Sequence, residues 1–290
     1  MNKIVNSELI LNEDGSIYHL KLKPENIANT ILTVGDPERV KEISKHFDAI
    51  DFTIHNREFT THTGRIGNKK LTVISTGIGV DNIDIVLNEL DSLVNIDLEK
   101  RIVKEKCESL KIIRIGTSGT VQNDIPIDSF LISTHAVGTE GLLHHYDANH
   151  CIDTSMSEAF AEHCQWPTNL PDPYIVAADA ELIKQMQSEQ CVEGITYTAN
   201  GFYAPQGRSL RLKLARSKHI QQLQSFSYRG HRLTNIEMET AGLYGLGKAL
   251  GHQMLSMNAI LANRELGTFS VQGEKTIQNL IRYCLERLIS

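Results

Sequence analysis

One stretch constrains this chain more than any other: Leu110-Lys111-Ile112-Ile113-Arg114-Ile115-Gly116-Thr117-Ser118-Gly119-Thr120. Its first half is β-branched and almost wholly apolar, the pattern of a strand buried on both faces of a parallel sheet. It then turns into a loop of Gly, Thr and Ser, which offers backbone N–H groups and hydroxyls at a strand's carboxyl end, where open α/β sheets bind ligands. Arg114 is a permanent cation inside the apolar run, so it must meet an anion there. Two arrangements satisfy it. One is an internal salt bridge to a carboxylate. The other is an anion cradle, with Arg114 supplying charge, Gly116 letting the backbone approach, and Thr117 and Ser118 donating hydrogen bonds.

Other segments repeat the motif of a strand leaving into chemistry. Residues 30–34 read as a strand and run straight into Gly35-Asp36-Pro37-Glu38-Arg39. Asp36 suits a helix N-cap and Pro37 the first turn, so a helix N-terminus with Arg39 in it stands at the strand's end, a second candidate anion site. Residues 59–66 and 70–75 alternate as paired strands joined through Gly67-Asn68. Thr76-Gly77-Ile78-Gly79-Val80 then opens a helix with an apolar stripe at Ile83, Val86, Leu87, Leu90 and Val94. Asn82 stands where a dinucleotide fingerprint needs its third Gly, which excludes that cofactor reading. Residues 91–110 are expected to form a second, charged helix, and 16–22 a short strand or extended arm. Residues 130–137 read as a strand, 138–174 as a loop, 180–190 as a helix, 194–198 and 254–261 as strands. In Asn200-Gly201-Phe202-Tyr203-Ala204-Pro205-Gln206-Gly207-Arg208, aromatics beside an amide and a guanidinium can stack on a flat heterocycle and bond its edge. Glu237-Met238-Glu239 is expected to open a helix over 241–250, with its two carboxylates on different faces. The chain closes in an amphipathic helix with Ile277, Leu280, Ile281, Cys284, Leu285 and Leu288 on one side.

Composition narrows the function classes. Of 290 residues, 41% are hydrophobic and 22% charged, an ordinary balance for a packed core. A net charge of −6 argues against binding to nucleic-acid polymers, yet a local Arg cluster still outweighs it at short range for a small anion. No apolar run reaches the ~20 residues that span a membrane, and the first eight residues lack a signal-peptide core. Five cysteines, scattered and without a C-x-x-C pair, fit reduced thiols in the cytoplasm. His144, His145, His150 and His163 lie in 138–174 with Cys151 and Cys164, but without metal-ligand spacing, so no metal is expected. Strands alternating with helices predict an α/β fold: one domain over 1–290 around a single twisted sheet, with an N-terminal arm over 1–28.

Taken together and in order, Gly35-Asp36-Pro37-x-Arg39, Arg114-Ile115-Gly116-Thr117, Phe202-x-x-x-Gln206-x-Arg208 and Glu237-Met238-Glu239 resemble the uridine-specific branch of the nucleoside phosphorylase family. The likeness runs from Tyr18-His19 to Asn263-Arg264. It implies a mixed central sheet, partly closed as a barrel and flanked by helices. It also implies a pentosyltransferase that cleaves uridine with phosphate to uracil and ribose 1-phosphate, in nucleoside catabolism and pyrimidine salvage. By that likeness Gly35, Arg39, Arg114 and Thr117 bind phosphate, and Arg57 of the Arg57-Glu58-Phe59 motif reaches it from a neighbouring subunit. Phe202, Gln206, Arg208 and the bracing Arg264 hold the base. Glu237, Met238 and Glu239 hold the ribose, with His19 contacting its 5′-hydroxyl, again from the neighbour. Arg208, Gln206, Glu239 and Arg114 are the expected catalytic set. The partners implied are a nucleoside, inorganic phosphate as co-substrate, and further copies of the chain in a dimer or a hexamer of dimers. No organic cofactor is implied, and a monovalent cation between subunits is left open. Purine phosphorylases of this fold carry Ser-Asp where this chain has Asn263-Arg264, and a hydrolase would have no use for three phosphate arginines. A non-catalytic nucleoside-binding protein would not need them either.

Overall fold

The computed structural model describes residues 3–289. Its strands are β1 (Thr30–Val34), β2 (Ala49–Asn56), β3 (Phe59–Ile66), β4 (Lys69–Ser75), β5 (Ile96–Asp97), β6 (Ile102–Val103), β7 (Lys111–Thr120), β8 (Phe130–Gly138), β9 (Tyr174–Ala177), β10 (Cys191–Thr198), β11 (Ser227–Tyr228), β12 (His231–Glu237), β13 (Gln253–Asn263) and β14 (Thr268–Phe269). Its helices are α1 (Pro37–Ser44), α2 (Val80–Asn95), α3 (Thr154–His163), α4 (Ala180–Met186), α5 (His219–Ser225), α6 (Thr240–Ala249) and α7 (Gly273–Ile289). One mixed sheet holds every strand but the β5–β6 ribbon, in the order β11-β12-β10-β8-β13-β7-β1-β4-β3-β2. β9 pairs with β8 and β14 with β13. β12 also pairs with β7, Asn235 against Thr120 and Ile236 against Gly119, so β12-β10-β8-β13-β7 closes into a ring.

β7 is the axis of this arrangement. It runs parallel to β1 on one side and to β13 on the other, which leaves Ile112, Ile113 and Ile115 at 0–1% exposure. A strand covered on both faces needs an apolar sequence, as its first half has. The α2 stripe and α6 pack on one face around Leu87, Leu90, Leu243 and Tyr244. The opposite face carries α1, α4 and α7, with Val40, Leu182, Leu280, Ile281, Cys284 and Leu285. α3 and α5 cover the far end of the ring through Phe160 and Leu223. Among the described residues no helix is long and apolar enough to cross a membrane.

The α1 cap forms as read: the Asp36 carboxylate accepts the Glu38 N–H at 2.9 Å, with Pro37 in the first turn. Other expectations need correction. Residues 91–110 do not form a second helix. α2 ends at Asn95, and the chain makes the β5–β6 ribbon around a turn where Arg101 takes φ 60°. The Asn95 amide closes that excursion by accepting the Glu108 N–H at 2.6 Å and donating to its carbonyl at 3.1 Å. Residues 16–22 form turns, with a β-bridge between Leu11 and Ile17 and hydrogen bonds to the side chains of Glu89 and Asn56, and with Leu20 and Leu22 buried in the core that α2 joins. The stretch 138–174 contains α3, capped by Asp153 accepting the Met156 N–H at 2.9 Å. Its cysteines sit in the core, while the rings of His144 and His163 meet backbone carbonyls of Asp172 and Gln222.

Candidate active site

The exits of β1, β4, β10 and β12, the outer half of β7 and the end of β13 line a single cavity of about 790 Å³. Gly35, Arg39, Arg114 and Thr117 meet at it, as do Phe202, Gln206 and Arg208, and Glu237, Met238 and Glu239. Four stretches spread over about 200 residues of sequence therefore share one space.

Of the two arrangements considered for Arg114, the internal salt bridge is the one found. Its guanidinium is 6% exposed and lies 2.5 Å from Glu239 Oε2 and 3.3 Å from Glu237 Oε2. Nη1 donates to Asn258 Oδ1 at 3.2 Å. Burial alone would lower its pKa, but the two carboxylates outweigh that and hold the proton more firmly than usual. The cation is thus neutralised inside the chain, while still lining the cavity beside Arg39. Gly116 serves the guanidinium: a Cβ there would stand 1.8 Å from Arg114 Nη1. The glycine makes room for the arginine's own head group.

Glu237 and Glu239 do not sit together at a helix start on opposite faces. Glu237 is the last residue of β12 and Glu239 the N-cap of α6, so both carboxylates reach Arg114. Glu237 accepts the Thr198 hydroxyl at 2.7 Å and the N–H groups of Glu239 and Thr240 at 3.0 Å, which fixes it to the first turn of α6. Glu239 accepts the Gly79 N–H at 2.7 Å, pinning the start of α2 to the same point. Two acids face one guanidinium here. Burial pushes the Glu239 carboxyl up; Arg114 pulls it down and neighbouring Glu237 adds to the rise. Arg39 is half-buried with no hydrogen bond from its guanidinium to the described residues; burial and then the Arg114 charge lower its pKa. A cation weakened by burial and by a second cation is stabilised by an incoming anion.

The other end of the cavity is built differently. Residues 199–218 lie outside sheet and long helix, with one turn of 3-10 helix at Ala204–Gln206. Arg208 Nη1 donates to Gln206 Oε1 at 2.5 Å and to the Phe202 carbonyl at 2.6 Å, and the guanidinium lies 3.9 Å from the Phe202 ring centre. Burial, then the charge of Arg264, brings Arg208 down to about 10, so it stays a cation at neutral pH. The contact orients the Gln206 amide with its oxygen toward Arg208 and its nitrogen free to donate. Gly207 turns the chain at φ 69°, where a Cβ would also collide with Ile220 at 2.4 Å.

A family model described as "Phosphorylase superfamily" matches residues 29–286. The chain belongs to the phosphorylase superfamily. It is 30% identical over 275 residues to a uridine phosphorylase of Thermococcus kodakarensis, covering 95% of this chain and 87% of that protein. It is 26% identical to a DeoD-type purine nucleoside phosphorylase of Streptococcus suis, covering 94% and 98%. In three dimensions it resembles a Trypanosoma brucei nucleoside phosphorylase described as showing uridine phosphorylase activity, with a TM-score of 0.88, 30% identity, and 97% and 99% of the two chains covered. A uridine phosphorylase of Phytophthora capsici shares the fold at a TM-score of 0.71 and 21% identity, with 100% and 99% covered.

Within this phosphorylase fold, three of the expected site residues lie off the cavity lining. Arg264 stands behind the loop that carries Gln206 and Arg208 and donates to the carbonyls of Gln206 at 2.9 Å and Gly207 at 3.4 Å. His19 and Arg57 lie elsewhere on the chain, His19 against Glu89 on α2 and Arg57 5.7 Å from the ring centre of Tyr18. Asn263, 1% exposed, holds four backbone groups: its amide nitrogen donates to the carbonyls of Gln122 and Ile125, and its oxygen accepts from Glu265 and Leu266. Sequence reading missed Glu58, Ile78, Phe269 and Asn258, the first three as lining residues and the last as the partner of Arg114. Asn258 had a signal. It and Ser256 are polar residues two apart in an apolar strand, which puts them on one face.

Proposed function

We propose that this chain catalyses the reversible phosphorolysis of uridine to uracil and ribose 1-phosphate. The observation that carries this reading is the pair Arg208–Gln206 across one cavity from Arg39 and Arg114. Phosphate lies against Arg39, Arg114, Thr117 and the Gly35 backbone. Entering as a dianion, it shares the Arg114 guanidinium with Glu239. The sugar rests on Met238, and Glu239 accepts from its hydroxyls. Phosphate oxygen attacks C1′ as the bond from C1′ to N1 breaks; its electron pair leaves with uracil. The developing anion is met by Arg208 and by the Gln206 amide nitrogen, in a site where such preorganised donors count for more than in water. Phosphate beside the sugar stabilises the positive charge that grows there.

Uracil presents acceptor, donor, acceptor along O2, N3–H and O4. The Gln206 oxygen has a second lone pair for N3–H, its nitrogen reaches one carbonyl, and Arg208 reaches the other. A purine needs a proton donor at N7. Where the purine enzymes carry Ser-Asp this chain has Asn263-Arg264. Asn263 is fully engaged with backbone groups and Arg264, at the position of the acid, is a cation bonded to the Gln206 and Gly207 carbonyls, which favours uridine over the purine nucleosides of some relatives. His19 and Arg57 act from a neighbouring copy, so the working enzyme is an oligomer, a dimer or a hexamer of dimers, in the cytoplasm. The purified protein should consume uridine only when inorganic phosphate is present and leave inosine nearly untouched, by up to the ~10⁴-fold that paired buried polar groups can discriminate. Phosphate-independent cleavage overturns the reaction; equal rates on inosine overturn the base choice.

A further inference from the structure

His19 and Arg57, the two residues expected to act in a neighbouring copy, are built into one unit. Asn56, immediately before Arg57, donates its side-chain amide to the His19 carbonyl at 2.7 Å. The Arg57 guanidinium sits over Tyr18, whose ring packs edge-on against His19 with centres 4.7 Å apart. The centre of the unit is Glu89 on α2, whose side chain is 13% exposed. Its Oε1 lies 2.9 Å from the His19 backbone N–H and 2.7 Å from His19 Nδ1, and its Oε2 lies 2.8 Å from the Leu20 N–H and 3.1 Å from that of His19. This is more than a tether for a turn. A carboxylate offers only acceptors, and two of its neighbours are backbone donors, so the third contact places the hydrogen on Nδ1. The ring makes no hydrogen bond through Nε2 among the described residues, and the side chain is 28% exposed.

We propose that Glu89 is a positioning residue that holds His19 as the Nδ1–H tautomer, so that Nε2 is presented as an acceptor to the ribose 5′-hydroxyl in a neighbouring subunit's site. The inference rests on the uridine reading and adds to it the group that decides which way that hydrogen bond runs. Glu89→Gln keeps length and shape but replaces one acceptor oxygen with a donor. With the backbone N–H groups claiming the remaining oxygen, the amide nitrogen faces Nδ1, which must then accept, and the hydrogen moves to Nε2. The hydroxyl loses its acceptor.

Two readouts test this. The first is the two-bond ¹⁵N–¹H spectrum of the histidine rings, with the His19 signals assigned by their loss in His19→Ala. The wild-type protein should show Nδ1–H and the Glu89→Gln protein Nε2–H; Nε2–H in the wild type overturns the proposal whether or not Glu89→Gln folds. The second is the ratio of kcat/KM for uridine to that for 5′-deoxyuridine, which lacks the hydroxyl. Glu89→Gln should lower this ratio by about three- to tenfold, the scale of one hydrogen bond, and should lower it no further in a His19→Ala background. A ratio lost in His19→Ala but kept in Glu89→Gln overturns the role of Glu89 alone. A ratio unchanged in His19→Ala overturns the ribose role of His19 as well, and failure to cleave uridine at all overturns both.

Discussion

The two ends of the cavity hold the same kind of charge in opposite ways. At one end Arg114, Glu237 and Glu239 are each at most 6% exposed, carried by a strand or by the turn from β12 into α6 and bonded to one another. At the other end Arg208 hangs in a loop, oriented by a ring that is 51% exposed and by an amide two residues away. Residues in a closed sheet are difficult to alter without disturbing the fold, whereas a loop on a rigid scaffold can change its side chains freely. The curated relatives include both uridine and purine enzymes. On the function proposed above, the phosphate chemistry belongs to the embedded end and the choice of base to the loop.

The largest effect expected is at the embedded end. Arg114→Ala removes one cation and leaves two buried carboxylates facing each other, and breaking such a pair costs about 3–5 kcal/mol. Turnover should fall to background and the denaturation midpoint should fall with it. The loss of stability should be smaller at low pH. The unfolded carboxyls protonate near their ordinary values while the folded Glu239 binds its proton more readily, so the folded state is favoured below those values and disfavoured as pH rises through the folded one. A variant that melts like the wild type and keeps its phosphate KM would erase the contrast between the two ends.

How far this division was legible in the sequence depends on the range of the interactions. The Asp36 cap, the hairpin between β3 and β4 and the α2 stripe are local, set by residues within a few positions of one another, and they form as read. β12 could not be found that way. It is a strand because it closes the ring against β7 and pairs with β10, contacts separated by well over a hundred and by about forty positions, respectively. Missing it placed Glu237 and Glu239 on a helix and hid their shared hold on Arg114. α3 did carry a local signal, with Asp153 as cap and Met156 and Phe160 four apart on one face, but its otherwise polar composition masked it. The charged run after α2 misled in the other direction, because polar residues with a few aliphatics suit an exposed ribbon as well as a helix. Arg208 and Gln206 were visible as a motif, but that Arg264 braces their backbone depends on tertiary structure alone.

At the loop end, Arg208→Ala should lower kcat/KM for uridine by about 10²–10³, the usual cost of one preorganised donor to a developing anion. The denaturation midpoint should scarcely move, since a partly exposed loop side chain contributes within about 0.5 kcal/mol. The phosphate KM should hold as well. A large loss of stability here would mean that the loop is part of the sheet's framework, and the separation of the two ends would fail.

The smallest expected effect sharpens the comparison most. The Phe202 ring is the only aromatic face within reach of the Arg208 guanidinium among the described residues, at 3.9 Å from its centre. A cation over an exposed ring is worth about 0.5–1 kcal/mol, which corresponds to a roughly two- to fivefold change in rate. Phe202→Leu keeps an apolar surface but removes the quadrupole, so kcat/KM for uridine should fall by about that factor, with phosphate KM unaltered. Phe202→Tyr keeps the ring and should stay near the wild type. Equal losses in both variants would assign Phe202 to packing against the base and remove its role in aiming Arg208. A rise in phosphate KM with either would show that the loop communicates with the embedded end, since no bond described here joins Phe202 to Arg39, Arg114 or Thr117.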